Sequence, residues 1–134
     1  MKKRFLAVLL LAVLLAMSMA QAAWADDFSG QCGDDVSWRL NNGLLVISGT
    51  GPMTDFTEDA LIANTPWQKY SSNIKNVVIE EGVTSIGSNA FIVCNQLSSV
   101  SLPSSMKTIG DFSFNHCSNL KSINIPYGVT TIGK

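Results

Sequence analysis

The chain is poor in the side chains that carry most enzyme chemistry. It holds one histidine, His116, and three cysteines, Cys32, Cys94 and Cys117. Charged residues make up only 14% of its 134 residues. Basic residues cluster only at Lys2-Lys3-Arg4; without that start the chain carries six basic and ten acidic side chains, a net of −4. A mildly acidic chain without a basic patch excludes nucleic acid as an expected partner. Cysteine spacings of 62 and 23 match no zinc pattern. Asp26, Asp27, Asp34, Asp35, Asp55, Glu58 and Asp59 crowd the N-terminal part, yet no D-x-D-x-D-G loop occurs, so a solvated acidic surface is expected in place of a calcium site. Gly49-Thr50-Gly51 begins like a phosphate loop, but Thr54 stands where the third glycine belongs and no Lys-Ser/Thr follows. A turn explains it, and neither cofactor nor metal is expected. The length permits one domain at most and excludes a full barrel or a complete dinucleotide-binding fold.

One long apolar run does occur, over residues 5–17, directly after Lys2-Lys3-Arg4. Two small-x-small sites follow, Ala20-Gln21-Ala22 and Ala23-Trp24-Ala25. Charge, apolar core and small-residue site in that order are those of a secretory signal peptide. Residues 1–25 are read as that signal, cut after Ala22 or Ala25, the latter favoured because Asp26-Asp27 opens the polar chain. The other reading is an uncleaved anchor, since residues 5–25 hold no charge and are long enough to span a bilayer. Membrane contact is expected only through such an uncleaved signal.

The strongest signal is an internal repeat of 23 residues. Val83-Thr84-Ser85-Ile86-Gly87 returns as Met106-Lys107-Thr108-Ile109-Gly110 and as Val129-Thr130-Thr131-Ile132-Gly133. The same offset links Phe91 to Phe114, Cys94 to Cys117 and Pro103 to Pro126, and the series Ile74, Leu97, Leu120 and Val77, Val100, Ile123. Val100 and Leu102, two apart, point to one side of a strand, and Pro103, lacking a backbone donor, ends it. Gly87 and Gly110 are expected to allow turns, and Ser88 and Asp111 to cap short helical turns. Ala90, Phe91 and Phe114 would face inward from those turns. A unit this short cannot bury its own apolar face, so copies must stack. The expectation is a mainly β leucine-rich-repeat solenoid with short helical turns. Parallel strands are placed near 77–79, 100–102 and 123–125, with secondary strands near 84–86 and 107–109.

The phrase Val-Thr-Ser-Ile-Gly-x-x-Ala-Phe-x-x-Cys-x-x-Leu-x-x-Val-x-Leu-Pro, residues 83–103, resembles the BspA-type leucine-rich repeat of bacterial secreted and surface proteins. The second copy departs with Ser113 where Ala90 stands. Residues 32–40 and 43–51 resemble the segment that precedes such repeats. The resemblance implies a surface protein that engages host or matrix components or neighbouring cells.

That preceding segment also reads as a hairpin without the resemblance. Val36, Trp38 and Leu40 alternate with polar residues, Leu45 and Ile47 alternate with Leu44, Val46 and Ser48, and Asn41-Asn42-Gly43 is a turn signal. Residues 26–73 are taken as an N-terminal capping region with a short helix over 59–63 ended by Pro66, and Trp67 is placed against the first repeat strand. Residues 74–134 are taken as the repeats, the last incomplete. Its apolar end, Ile123, Ile125, Val129 and Ile132, would invite end-to-end self-association. Truncation of a longer protein is the favoured reading of that end, and a short product that dimerises is the other.

Cys94 and Cys117 lie one rung apart. Neighbouring strands sit about 4.8 Å apart, which allows a disulfide, but a ladder position favours two inward free thiols. Cys32 is read as a packed residue of the hairpin segment. Asp111, Ser113 and His116 suggest a triad on paper. The repeat accounts for Asp111 as a cap and Ser113 as a small inward residue, leaving His116 exposed and non-catalytic. What remains is the outward side of the strands: Asn76, Val78, Ser99, Ser101, Ser122 and Asn124, flanked by Lys75, Ser98 and Lys121. This small, hydroxyl-rich face lacks aromatic and Arg anchors, which suits weak or multivalent binding of a protein or surface ligand. The expected function is a secreted or cell-surface binding or adhesion module without catalysis. The alternative is an accessory region of a larger secreted enzyme whose catalytic domain lies beyond Lys134.

Overall fold

A computed structural model describes residues 28–134; the export signal read on residues 1–25 lies outside the described residues. In chain order the strands are β1 (Ser29–Gln31), β2 (Val36–Asn41), β3 (Leu44–Gly49), β4 (Gly51–Pro52), β5 (Glu58–Asp59) and β6 (Ile62–Ala63). A 3₁₀ helix (Gln68–Asn73) follows, then β7 (Asn76–Ile79), β8 (Val83–Ile86), β9 (Ser99–Ser101), β10 (Thr108–Ile109) and β11 (Thr131–Ile132). They form a five-stranded sheet in the order β1-β2-β3-β7-β9, a four-stranded sheet in the order β11-β10-β8-β4, and the separate hairpin β5-β6.

The alternation of Val36, Trp38 and Leu40 buries all three on one side of β2. Asn41 pairs with Leu44, which leaves Asn42-Gly43 as a two-residue turn. Their φ values of 50° and 80° supply the positive pair that a tight hairpin turn needs. From β3 onward the sheet becomes parallel. β3 pairs with β7 from Leu44↔Asn76 to Ile47↔Ile79. β7 pairs with β9 through Asn76↔Ser99, Val77↔Val100 and Val78↔Ser101. The second sheet pairs Ile86 with Ile109 and Ile109 with Ile132. Both repeat ladders therefore run at the 23-residue offset read from the sequence, with secondary strands at 83–86 and 108–109 as expected.

The inward side chains of both sheets meet in one apolar cluster that includes Leu45, Ile47, Ile74, Val77, Ile79, Val83, Ile86, Leu97 and Met106. An aromatic column runs through it. Trp67 stacks on Phe91 with centroids 5.7 Å apart, and Phe91 on Phe114 at 5.5 Å. Trp38 and Phe56 meet Trp67 edge-on at 5.9 and 5.7 Å. The Trp67 Nε1–H donates to the Ala90 carbonyl at 2.9 Å in the buried interior. Trp67 is thus buried against the turn segment that carries Ala90 and Phe91.

Five expectations are corrected. The segments after Gly87 and Gly110 are successions of turns, not helical turns. Asn89 and Val93, and one unit later Phe112 and His116, have φ between 55° and 61°. These left-handed residues swing alternate N–H groups sideways: Asn89, Phe91 and Val93 donate to the carbonyls of Asp111, Ser113 and Asn115 at 2.8–2.9 Å. A helix would have kept those donors within its own unit. The Ser88 cap is replaced as well. The Asp55 carboxylate accepts the Ser88 N–H at 2.8 Å, and Asp111 accepts that of Lys134 at 2.9 Å.

Residues 123–125 form no strand. The ladder frays at its outer rung, where neighbours lie on one side only, and Ile125 is exposed. The helix over 59–63 is the hairpin β5-β6, with Ala60 and Leu61 at φ 51° and 68°. Asn64 closes it by accepting the Thr57 N–H on Oδ1 and donating its own N–H to the Thr57 carbonyl, a side-chain competition that diverts the backbone from a helix. The helical segment lies after Pro66 instead of before it.

Finally, Gly87 and Gly110 do not serve positive φ. They serve close approach: a Cβ on Gly87 would run into the Thr54 carbonyl, and one on Gly110 into the Ser88 backbone. Among the described residues no helix is long and apolar enough to cross a membrane.

Candidate binding face

The register of the five-stranded sheet decides which side chains share its outer face. Inward residues are Leu40, Leu45, Val77 and Val100 in one row, and Trp38, Ile47 and Ile79 in the next. The residues between them face outward. One outward row is Asn41, Leu44, Asn76 and Ser99; the other is Ser29, Arg39, Val46, Val78 and Ser101. Four of the expected face residues, Asn76, Val78, Ser99 and Ser101, therefore lie together. The Ser99 hydroxyl donates to Asn76 Oδ1 at 2.6 Å, and Ser98 donates both its N–H and its hydroxyl to the Lys75 carbonyl at 2.9 and 3.2 Å. Ser122 and Asn124 are exposed but sit on no strand, so no ladder holds them in line with the others.

The face is wider than the repeats alone suggest, because β3 joins β7 without a break. Arg39, Asn41, Leu44 and Val46 of the hairpin extend both rows. Beyond the expected residues, Arg39, half-buried and in register with Val46, adds a guanidinium to the outward rows. Alternation in β2 already places Arg39 opposite Trp38 and Leu40. What sequence reasoning missed is that β3 pairs edge to edge with β7, a long-range contact that periodicity does not encode. Val46 is buried although it faces away from the main apolar cluster, with Arg39 and Val78 as its cross-strand neighbours.

The chemically active side chains are arranged for structure. All three cysteines are free and buried. Burial pushes the Cys32 and Cys94 thiols up to about 12 and the Cys117 thiol up to about 11, with the proximity of Cys117 adding to the effect on Cys94. The Cys117 S–H donates to the Phe91 carbonyl at 3.1 Å. Asp111 is engaged with the Lys134 backbone, Ser113 is buried, and His116 is exposed in a left-handed turn. These three do not assemble into a hydrogen-bonded triad. Among the described residues no group of three His, Cys, Asp or Glu side chains is placed to hold a metal ion. Glu81 accepts both the N–H and the hydroxyl of Ser104 at 2.7 Å, and these bonds hold its carboxyl below the usual range. The outer face offers hydroxyls, carboxamides and one guanidinium, a set suited to non-covalent recognition.

Comparison with known proteins agrees with this architecture. Residues 67–134 match the model of the BspA type leucine rich repeat region (6 copies). A leucine-rich repeat protein from Eubacterium ventriosum is 33% identical, with a TM-score of 0.71, over 78% of this chain and 27% of that one. A leucine rich cell surface protein from Faecalibacterium prausnitzii is 27% identical, with a TM-score of 0.44, over 75% of this chain and 31% of its own. The chain thus spans under a third of the length of these two relatives. No curated protein is significantly similar to it. On its 23-residue ladders and the family match over its C-terminal half, the chain belongs to the BspA-type leucine-rich-repeat family.

Proposed function

We propose that the chain is a secreted or cell-surface module that binds a protein or surface ligand through the outer face of the five-stranded sheet, with no catalysis of its own. The single observation that supports this most is the register that lines up the accessible Arg39, Val78 and Ser101 beside Asn41, Leu44, Asn76 and Ser99. Leucine-rich repeats of this family are generally non-enzymatic scaffolds for protein interaction. Export rests on Lys2-Lys3-Arg4, the apolar run over 5–17 and the small-residue sites ending at Ala22 and Ala25. In this reading residues 26–73 cap a solenoid formed by residues 74–134. The face has few anchors, so attachment is weak per copy and gains strength from many copies on one surface.

Two measurements test the proposal. N-terminal sequencing of the chain expressed in a bacterial host should find Ala23 or Asp26 first, in the medium or on the surface; a chain kept in the cytoplasm with Met1 would end the export reading. Cells displaying the protein should attach to wells coated with extracellular-matrix protein, and Ser99→Glu with Ser101→Glu should abolish the attachment. Unchanged attachment would remove the sheet face from the proposal.

The alternative is an accessory region of a larger secreted enzyme; this chain spans 27% of the length of the Eubacterium ventriosum relative. Reading the native frame past the codon for Lys134 separates the two: more 23-residue units favour the binding module, a catalytic motif favours the enzyme. End-to-end self-association is the further proposal for the apolar set Ile123, Ile125, Val129 and Ile132, of which Ile125 and Ile132 are exposed. Sedimentation at rising concentration reads it directly.

A further inference from the structure

Beside the hairpin turn, a cleft of about 360 Å³ lies where the 3₁₀ helix approaches the start of β7. Its walls include Phe28, Asn41, Asn42, Tyr70, Asn73 and Lys75. Its size is near the lower end of small-molecule sites, roughly 300–1,000 Å³. Phe28 is 36% exposed, and its ring is held 5.1 Å from that of Tyr70. The Lys69 ammonium sits 5.0 Å from the Tyr70 ring centroid. Asn41, Asn42 and Asn73 make no side-chain hydrogen bond among the described residues, so three carboxamides border one cleft with donors and acceptors unused. No acidic side chain lines it among the described residues, although acidic residues outnumber basic ones beyond residue 25.

These walls ask for a small ligand with three properties. It needs an apolar face to lie on Phe28. It needs several groups that both donate and accept hydrogen bonds, which hydroxyls do and which match carboxamides on both counts. It needs a negative charge near Lys75, which is the one charged residue among the described residues that line the cleft. A pyranose ring has C–H groups on one face and hydroxyls around its rim, and a uronic or sialic acid adds the carboxylate. We propose that this cleft binds a single sugar unit bearing a carboxylate, at the end or along the edge of an acidic glycan. Asn41 stands in the same outward row as Leu44, Asn76 and Ser99, so a longer glycan has a path from the cleft along the sheet.

The test uses the full chain with glucuronic acid, N-acetylneuraminic acid and glucose, followed by saturation-transfer NMR and titration calorimetry. The acidic sugars should bind with dissociation constants of about a millimolar, typical of one shallow site, and binding should weaken with added salt. Glucose should bind at least about tenfold more weakly, the loss expected for one charge-assisted contact. Lys75→Gln and Phe28→Ala should each weaken glucuronate about tenfold or more, while Lys107→Gln leaves it unchanged. Equal thermal midpoints establish that the variants fold; Lys75 is exposed, so K75Q decides the matter if F28A does not fold. The proposal is overturned if neither acidic sugar binds at about 10 mM, if glucose binds as tightly as glucuronate, or if K75Q binds like the unaltered chain. Phe28→Ala, whose side chain is not on the sheet's outward rows, should lose glucuronate while cells displaying it still attach to matrix-coated wells, which keeps this cleft distinguishable from the sheet-face proposal.

Discussion

Phe91 and Phe114 occupy the same position in successive 23-residue units, and their rings stack with centroids 5.5 Å apart and planes 21° apart. Phe91 is fully buried, between Trp67 on one side and Phe114 on the other, while Phe114 is only partly buried. Phe91→Ala should therefore cost about 3–5 kcal/mol, because it removes a large core side chain and leaves a void in a stacked column. Phe114→Ala should cost about half as much, having less area to lose. Urea unfolding followed by tryptophan fluorescence measures both, and equal losses would contradict the burial gradient.

Gly110 should not tolerate a side chain. Its backbone lies against Ser88 of the preceding unit, and a Cβ would enter the space of the Ser88 backbone, which cannot swing aside as a side chain could. Gly110→Ala should destabilise by about 1–3 kcal/mol through this overpacking. Gly51→Ala is the comparison for a different cause, since it has open space but a φ of 88° and so meets backbone strain without a clash. Matching thermal shifts at the two sites would leave the close-approach account without support.

The three thiols should be slow to react in the folded chain. At pH 8 iodoacetamide should label Cys32, Cys94 and Cys117 rapidly in urea and slowly without it, because folded values of about 11–12 leave little thiolate. These groups hold their protons in the folded state beyond the ordinary value of 9.0, so their contribution to stability is complete below 9.0 and falls as pH rises toward 11–12. Replacing Cys94 with Ala should flatten that alkaline decline, apart from its packing cost.

Glu81 should act at the other end of the scale. Its carboxyl is held below the ordinary 4.5 by hydrogen bonds from Ser104, with Ser105 adding to them. A depressed carboxylate stabilises fully above its unfolded value and loses that contribution as pH falls through its folded value. Glu81→Gln should therefore lower stability at neutral pH and make the acid limb, below about pH 4.5, shallower. Thermal midpoints at pH 7 and pH 3 read the difference; an identical acid limb in the variant would contradict it.

The repeat made much of the fold legible. Val77, Val100 and the intervals of 23 place β7 and β9 in register because stacked identical units must present identical apolar positions to each other. The free, buried Cys94 and Cys117 follow from the same logic, as do the inward Phe91 and the small inward Ser113. The hairpin was legible in the alternation of Val36, Trp38 and Leu40 and in Asn42-Gly43, where local sterics alone choose the turn.

Contacts between segments that share no period came from the folded chain alone. The pairing of β3 with β7 brought Arg39 and Val46 beside Val78, because sheet edges join through backbone bonds that are blind to side-chain identity. Successive turns replaced the expected helix after Ser88, because N–H groups of Asn89, Phe91 and Val93 found carbonyls in the next unit. The cleft beside Asn41 and Lys75 arose the same way, from residues 28, 41, 70 and 75, which no repeat or motif connects. The unit and its inward side are written in the residue pattern, since burial of apolar surface is periodic; the outward face and its cleft depend on which edges met.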